Sequence, residues 1–238
     1  MKIGIIGGNG VAATNRLLDM VERKVTLNGG YRDAHHPELL VAYDTQSPSR
    51  SMYLEGRGES FVPGYIALAK MFKKEGCGMV CMCCNTAHYA ISEIENKSGV
   101  RFINLLTCVA QKICNEQLDN VELWVTDGAR KFDIYGEAFK KYAPNCEVLY
   151  PSLERQSRIT ELICSVKSQK RFLPKDHPQS PYCIMQHLIR NSQAPIILGC
   201  TDLRIAYGND DPLDKNIVLD SLECLADAIV KFSSVPVK

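Results

Sequence analysis

Short apolar runs alternate with amphipathic stretches along the whole chain, and no other feature limits the possible folds as strongly. The runs fall at 3–6, 39–43, 79–83 and 102–104, then at 121–125, 146–150, 196–198 and 217–219. Each is short, apolar throughout or nearly so, and bounded by turn residues, as strands buried on both faces are. Helical spacing of apolar positions predicts helices over 12–24, 65–74, 87–96 and 106–116, then over 133–142, 157–166, 181–190 and 222–232. Residues 44–51, with Pro48 and several hydroxyl side chains, read as a loop, and 167–175 as a solvated helix end and loop. Parallel neighbours need a crossover, so alternating strands and helices predict α/β layers with parallel sheets. The two series echo each other, which predicts two doubly wound, pseudo-symmetric α/β domains with a cleft between them. Residues 1–105 with 211–238 are expected to form the first domain and 106–210 the second.

Composition narrows the function classes. With 238 residues and 45% apolar content, the chain can bury a sizeable core. Twenty-eight basic against 27 acidic residues leave a net charge of +1, so no global field draws it to nucleic acid or membrane. No run approaches the length of a transmembrane helix, and the first strand begins at once, with no signal-like segment. Eleven cysteines, an odd number at irregular spacing, fit a reduced cytoplasmic protein with free thiols.

Two of those thiols stand apart by position. Cys84 closes the run Met79-Val80-Cys81-Met82-Cys83-Cys84 and is followed by Asn85-Thr86-Ala87-His88; Cys200 closes Ile196-Ile197-Leu198-Gly199-Cys200 and is followed by Thr201-Asp202. The end of a parallel strand faces the ligand crevice, beside the N-terminus of the next helix. That N-terminus offers free N–H groups and a positive partial charge, which favour a thiolate and can hold a carboxylate. Two such thiols in two halves suggest acid and base groups facing each other across a substrate, as inversion of a carbon centre requires. The other nine cysteines lack that setting and read as small buried hydrophobes.

Taken together, Gly7-Gly8-Asn9-Gly10 with Ala13-Thr14, Cys84-Asn85-Thr86-Ala87-His88 and Gly199-Cys200-Thr201-Asp202 resemble the aspartate/glutamate racemase superfamily, with the aspartate racemase branch nearest. Asp33 to His36, Gln46 to Arg50 and Asp220-Ser221 extend the likeness over nearly the whole chain. The resemblance implies an amino-acid racemase, an isomerase that works without pyridoxal phosphate or metal, as a homodimer with the active site between two domains. By position, Cys84 and Cys200 match the two catalytic cysteines: one takes the α-proton as thiolate, the other delivers a proton to the opposite face, and the roles swap with the enantiomer. Backbone donors around Asn85, Thr86, Thr201 and Asp202 are candidates to hold the α-carboxylate. Gly8, Asn9 and Thr126 fall among the expected substrate contacts. Arg50 matches an arginine that binds the side-chain carboxylate of aspartate, and Lys167 a second cationic contact.

The chain departs from the pattern at several positions. Asn9 and Val11 replace Met and Pro of the glycine turn, Ala129 replaces a Thr, and Cys164 stands where related racemases have Tyr. These changes bear on the pocket wall, and so on whether the substrate is aspartate, glutamate or another amino acid. Asp202 either orients a neighbour or the thiol, or caps the next helix, and His88 reads as a hydrogen-bonded structural residue.

Other readings explain less. Gly8-x-Gly10-x-x-Ala13 after a strand fits a dinucleotide fingerprint, but Asp44 lies 34 residues past Gly10, where about 20 is expected. Cys81-x-x-Cys84 has redox or metal spacing, yet neighbouring strand residues point to opposite faces, so Cys83 and Cys84 do not converge. Hydantoin racemases, maleate isomerases and arylmalonate decarboxylases share the superfamily; the paired cysteines disfavour the single-cysteine decarboxylases, and Arg50 favours a dicarboxylic amino acid.

Overall fold

Along the first strand, β1 (Ile3–Gly7), Ile3 and Ile5 point into one apolar cluster and Ile6 into another, as the two-residue period of a strand requires. Gly4 faces the outer side, where an added Cβ would come within 2.6 Å of the Phe72 ring. The structure is a computed structural model that describes residues 1–208, 214 and 217–233. After β1 come α1 (Val11–Leu27), β2 (Leu39–Tyr43), α2 (Arg50–Leu54), α3 (Val62–Lys74), β3 (Met79–Met82), α4 (Ile91–Ser98), β4 (Phe102–Ile103) and α5 (Leu105–Asn115). The second half runs β5 (Asn120–Trp124), α6 (Asp127–Lys131), α7 (Gly136–Tyr142), β6 (Glu147–Leu149), α8 (Leu153–Ser165), α9 (Pro181–Arg190), β7 (Ile196–Leu198), α10 (Thr201–Tyr207), β8 (Val218–Asp220) and α11 (Ser221–Ser233).

Each half builds a four-stranded parallel sheet, in the orders β2-β1-β3-β4 and β6-β5-β7-β8. The topology is the same in both, with the strand order reversing between the first and third strands of each half. That reversal is where open α/β sheets bind ligands. One apolar cluster joins the inner faces of both sheets through α1, α5 and α11, whereas separate clusters cover the outer faces. The two halves therefore share a core, and α1 also packs on α10 and α2 on α6 across the division.

Strand β8 belongs to the segment expected with the first half. It pairs with β7 in the second sheet, although the helix behind it, α11, packs on α1 and α5. Residues 209–213, 215–216 and 234–238 of that division lie outside the described residues. Other local differences have local causes. The helix expected over 133–142 begins only at Gly136, because Asp133 adopts φ +42, which no helix interior tolerates. The segment expected as a loop over 44–51 ends in the first turn of α2, capped by Ser49, whose Oγ accepts from the Met52 N–H. Residues 86–90 form a 3-10 turn ahead of α4. Among the described residues, no helix is long and apolar enough to cross a membrane.

Candidate active site

The common topology gives the two marked cysteines equivalent places: Cys84 follows β3 and Cys200 follows β7, the third strand of each half. Cys81 and Cys83 point into the shared core, whereas Cys84 packs on the outer cluster of the first sheet. Adjacent strand positions thus face opposite ways, as the sequence pattern requires. Burial pushes the Cys83 thiol up to about 12 and holds Cys81 well above its ordinary value, which keeps both thiols protonated.

Cys200 is the N-cap of α10 and Cys84 precedes the 3-10 turn Thr86–Ala90. The expected lowering of thiol pKa by a helix N-terminus does not prevail at Cys200. Desolvation, with the Asp202 carboxylate next, holds that thiol far above its ordinary range, against the opposing pull of the Asp202 backbone N–H and of Lys167. The helix field is present, and burial outweighs it. Cys84 lies near enough to Cys200 to add to the same upward push.

A cavity of about 560 Å³ opens between the halves. On one side it is walled by Gly8, Asn9, Gly10, Val11 and Arg50, and on the other by Lys167, Arg171, Phe172 and Asp202. Gly8 sits at φ +79, and a Cβ there would meet the Asp44 backbone nitrogen at 2.7 Å, so only glycine closes this turn. Thr14 holds the turn from within, its Oγ1 accepting from the Gly8 N–H and donating to the Gly10 carbonyl, both at 3.0 Å. Asn9 is buried; its Nδ2 donates to Tyr65, and its Oδ1 takes no hydrogen bond among the described residues.

Arg50 is anchored by its own neighbourhood. Its guanidinium donates to the carbonyls of Pro48 at 2.9 Å and Asn9 at 3.2 Å. Burial lowers its pKa, but the neighbouring Cys84, by charge and hydrogen bonding, together with Tyr65 and Asp44, brings the net shift upward. Arg50 thus ties the glycine turn to Cys84. Lys167, exposed at the cavity mouth, pairs with the buried Asp202 at 3.1 Å. Burial would lower its pKa as well, yet Asp202, Cys200 and Cys84 raise it overall. One cation therefore feels both thiols.

The remaining expected contacts are placed less directly. Neither thiol lines the cavity itself, nor do Asn85, Thr86, Thr126 or Thr201. Thr86 and Thr201 are buried as the first residues of the turns behind the thiols. Thr126 caps α6, its Oγ1 accepting from the Ala129 N–H at 3.3 Å. The Asn85 amide is engaged with Tyr135 and Ser221. Of the four departures, Asn9 and Val11 line the cavity, whereas Ala129 is a buried residue of α6 and Cys164 is exposed and outside the lining. His88 is structural: Nδ1 bonds the Cys84 carbonyl at 2.9 Å, Nε2 accepts the Leu105 N–H at 3.2 Å, and burial lowers its pKa to about 4. Sequence reasoning missed Arg171 and Phe172 because nothing in a mixed polar stretch marks the 3-10 turn Gln169–Phe172 as a cavity wall.

Comparison with known proteins bears on the family and the fold. Residues 3–229 match the family described as Asp/Glu/Hydantoin racemase. The broad specificity amino-acid racemase RacX of Bacillus subtilis (strain 168) is 24% identical over 233 residues, covering 96% of each chain. The structure of Picrophilus torridus aspartate racemase superposes with a TM-score of 0.79 at 25% identity, over 100% of this chain and 96% of that one. An aspartate racemase homologue from Pyrococcus horikoshii OT3 superposes with a TM-score of 0.71 at 20% identity, over 98% and 99% of the two chains, which speaks for the fold.

Proposed function

This chain belongs to the Asp/Glu/hydantoin racemase family, and from that premise we propose that it is a cofactor-independent racemase of an acidic amino acid, aspartate foremost. The observation that carries the reading is the matched placement of Cys84 and Cys200 past the third strand of two sheets with one topology, behind a cavity that bears Arg50 and Lys167.

The chemistry follows from the residues. One thiolate takes the α-proton, and the C–H electron pair stays on the substrate, delocalised into its α-carboxylate. The other thiol then donates its proton to the opposite face, leaving the inverted amino acid and exchanged protonation states on the two sulfurs. Near neutral pH burial keeps Cys200 as the thiol, so Cys200 starts as the proton donor. The N–H groups that open the turns after each cysteine supply fixed donors for the α-carboxylate as negative charge develops there. Arg50 receives the side-chain carboxylate, and Lys167 joins it by exchanging Asp202 for substrate. Asn9 Oδ1 and the Asp202 carboxylate then serve the α-ammonium.

A second reading, of wider amino-acid specificity, draws on the cavity. Its volume of about 560 Å³ lies within the range of roughly 300–1,000 Å³ typical of sites for far larger ligands, and the Bacillus subtilis relative carries a broad-specificity name. Racemisation measured by chiral chromatography on both enantiomers of aspartate, glutamate, alanine and lysine separates the two. Aspartate is expected to show the highest kcat/KM, and Arg50→Ala to raise KM for aspartate about tenfold or more while changing KM for alanine less. Preference for a neutral or basic substrate, unaffected by Arg50→Ala, would reject the acidic assignment. No turnover of any amino acid would reject racemase activity.

A further inference from the structure

Between the two thiol-bearing strand ends runs a chain of buried hydrogen bonds that none of the catalytic roles above uses. Tyr135 OH meets Asn85 Oδ1, Asn85 Nδ2 meets Ser221 Oγ at 3.2 Å, and Ser221 Oγ meets the Leu198 carbonyl at 2.6 Å. Asn85 is the neighbour of Cys84, and Leu198 precedes Cys200 by two positions. Tyr135 comes from the segment between α6 and α7, and Ser221 opens α11. All four residues are buried, none more than 2% exposed.

The direction of every bond in this chain is determined. A carbonyl only accepts, so Ser221 spends its one proton on Leu198 and offers Asn85 a lone pair. Asn85 must then turn its NH₂ toward Ser221, which leaves Oδ1 toward Tyr135, and Tyr135 must donate. No member can reverse without stranding a buried donor or acceptor, and stranded groups of this kind are costly. The amide of Asn85 is thereby held in one orientation, and the backbone beside Cys84 is tied to the strand that ends at Cys200.

We infer that Tyr135 and Ser221 are positioning residues that set the spacing of Cys84 and Cys200 through the Asn85 amide. This rests on the racemase reading and reassigns the Asn85 side chain, which becomes a tie between the halves while its backbone remains beside the substrate. Spacing matters to one part of the reaction in particular. Removal of the α-proton needs one thiol, whereas inversion needs the second at the correct distance on the far face. Misplacement by about an ångström is enough to cost on the order of a hundredfold. Tyr135 also approaches the site closely: after burial, the charges of Cys224 and then Cys200 raise its pKa.

The test compares wild type with Tyr135→Phe and Ser221→Ala, each of which removes one hydroxyl from a different link. L- and D-aspartate and L- and D-glutamate are incubated in deuterated water, and both inverted product and α-deuterated, uninverted substrate are measured. Each variant is expected to lower kcat for inversion about 10- to 100-fold, with KM within about threefold of wild type. The ratio of uninverted exchange to inversion should rise at least about fivefold. A merely structural loss lowers the active fraction and leaves that ratio unchanged, so an unchanged ratio in a folded variant overturns the inference. If Tyr135→Phe lacks native circular dichroism, Ser221→Ala decides. If wild type exchanges none of the four substrates, the acidic-substrate reading on which the test rests fails and the inference falls with it, a result distinct from an unchanged ratio.

Discussion

At Cys200 opposing forces meet on one sulfur: desolvation and the Asp202 carboxylate favour the thiol, and the Asp202 N–H and Lys167 favour the thiolate. The first pair wins, so the residue rests protonated near neutral pH and gains reactivity as pH rises. Alkylation by iodoacetamide, followed residue by residue with peptide mass spectrometry, is expected to accelerate steadily at Cys200 from pH 7 to about pH 9 without levelling. Asp202→Asn keeps the backbone N–H, removes the carboxylate charge, and should speed the reaction at every pH in that range. A plateau at Cys200 below pH 8 would contradict this balance. The position of the thiol was legible in the sequence, because a short apolar run ending in Gly199-Cys200-Thr201 reads as a strand-to-helix junction. Its protonation was not legible. The helix N-terminus is a local feature that the chain displays, whereas desolvation and the reach of Lys167 arise from residues that folding brings together.

Between elements, His88 joins the end of β3 to the start of α5 by bonding the Cys84 carbonyl and the Leu105 N–H. Both bonds need the neutral ring, with the proton on Nδ1. Its pKa near 4, against 6.5 when unperturbed, means that the unfolded chain binds the extra proton between those values. Stability from this residue is therefore complete above about pH 6.5 and is lost as pH falls toward 4. Asp220, raised by burial from 3.8 to about 6, has the opposite sign: its cost to stability accrues as pH climbs between those values and is constant above them. Comparing wild type with His88→Gln cancels the Asp220 contribution. On going from pH 7 to pH 4.5, urea unfolding should show wild type losing about 2–3 kcal/mol more than the variant; equal losses would show that His88 is not held neutral. The structural role of His88 was readable from its place four residues after Cys84. The break at Asp133, the short helix at Arg50 and the cavity wall at Phe172 were not, since each is a short irregular turn with no apolar periodicity to mark it.

For the whole molecule, the decisive property is that one sheet topology occurs twice and that the two copies share a core. The repeated pattern of strands and helices was legible, and so were the two cysteines at equivalent strand ends. The assignment of β8 was not, because its hydrogen-bond partner and the helix that follows it belong to different halves. Sharing α1, α5 and α11 between the sheets holds the two thiols in one framework, and the neighbouring Arg50 and Asp202 line the cavity between the halves. The central claim is that both sulfurs are required, one on each face of a single carbon. It is tested most directly by racemisation and α-deuterium incorporation in deuterated water, with no added cofactor, in wild type, Cys84→Ala and Cys200→Ala, using the aspartate or glutamate enantiomer that wild type converts fastest. Wild type should exchange the α-proton and invert the substrate, and each variant should lose inversion by about 10²- to 10⁴-fold. Inversion at the wild-type rate in either variant would contradict the two-thiol account.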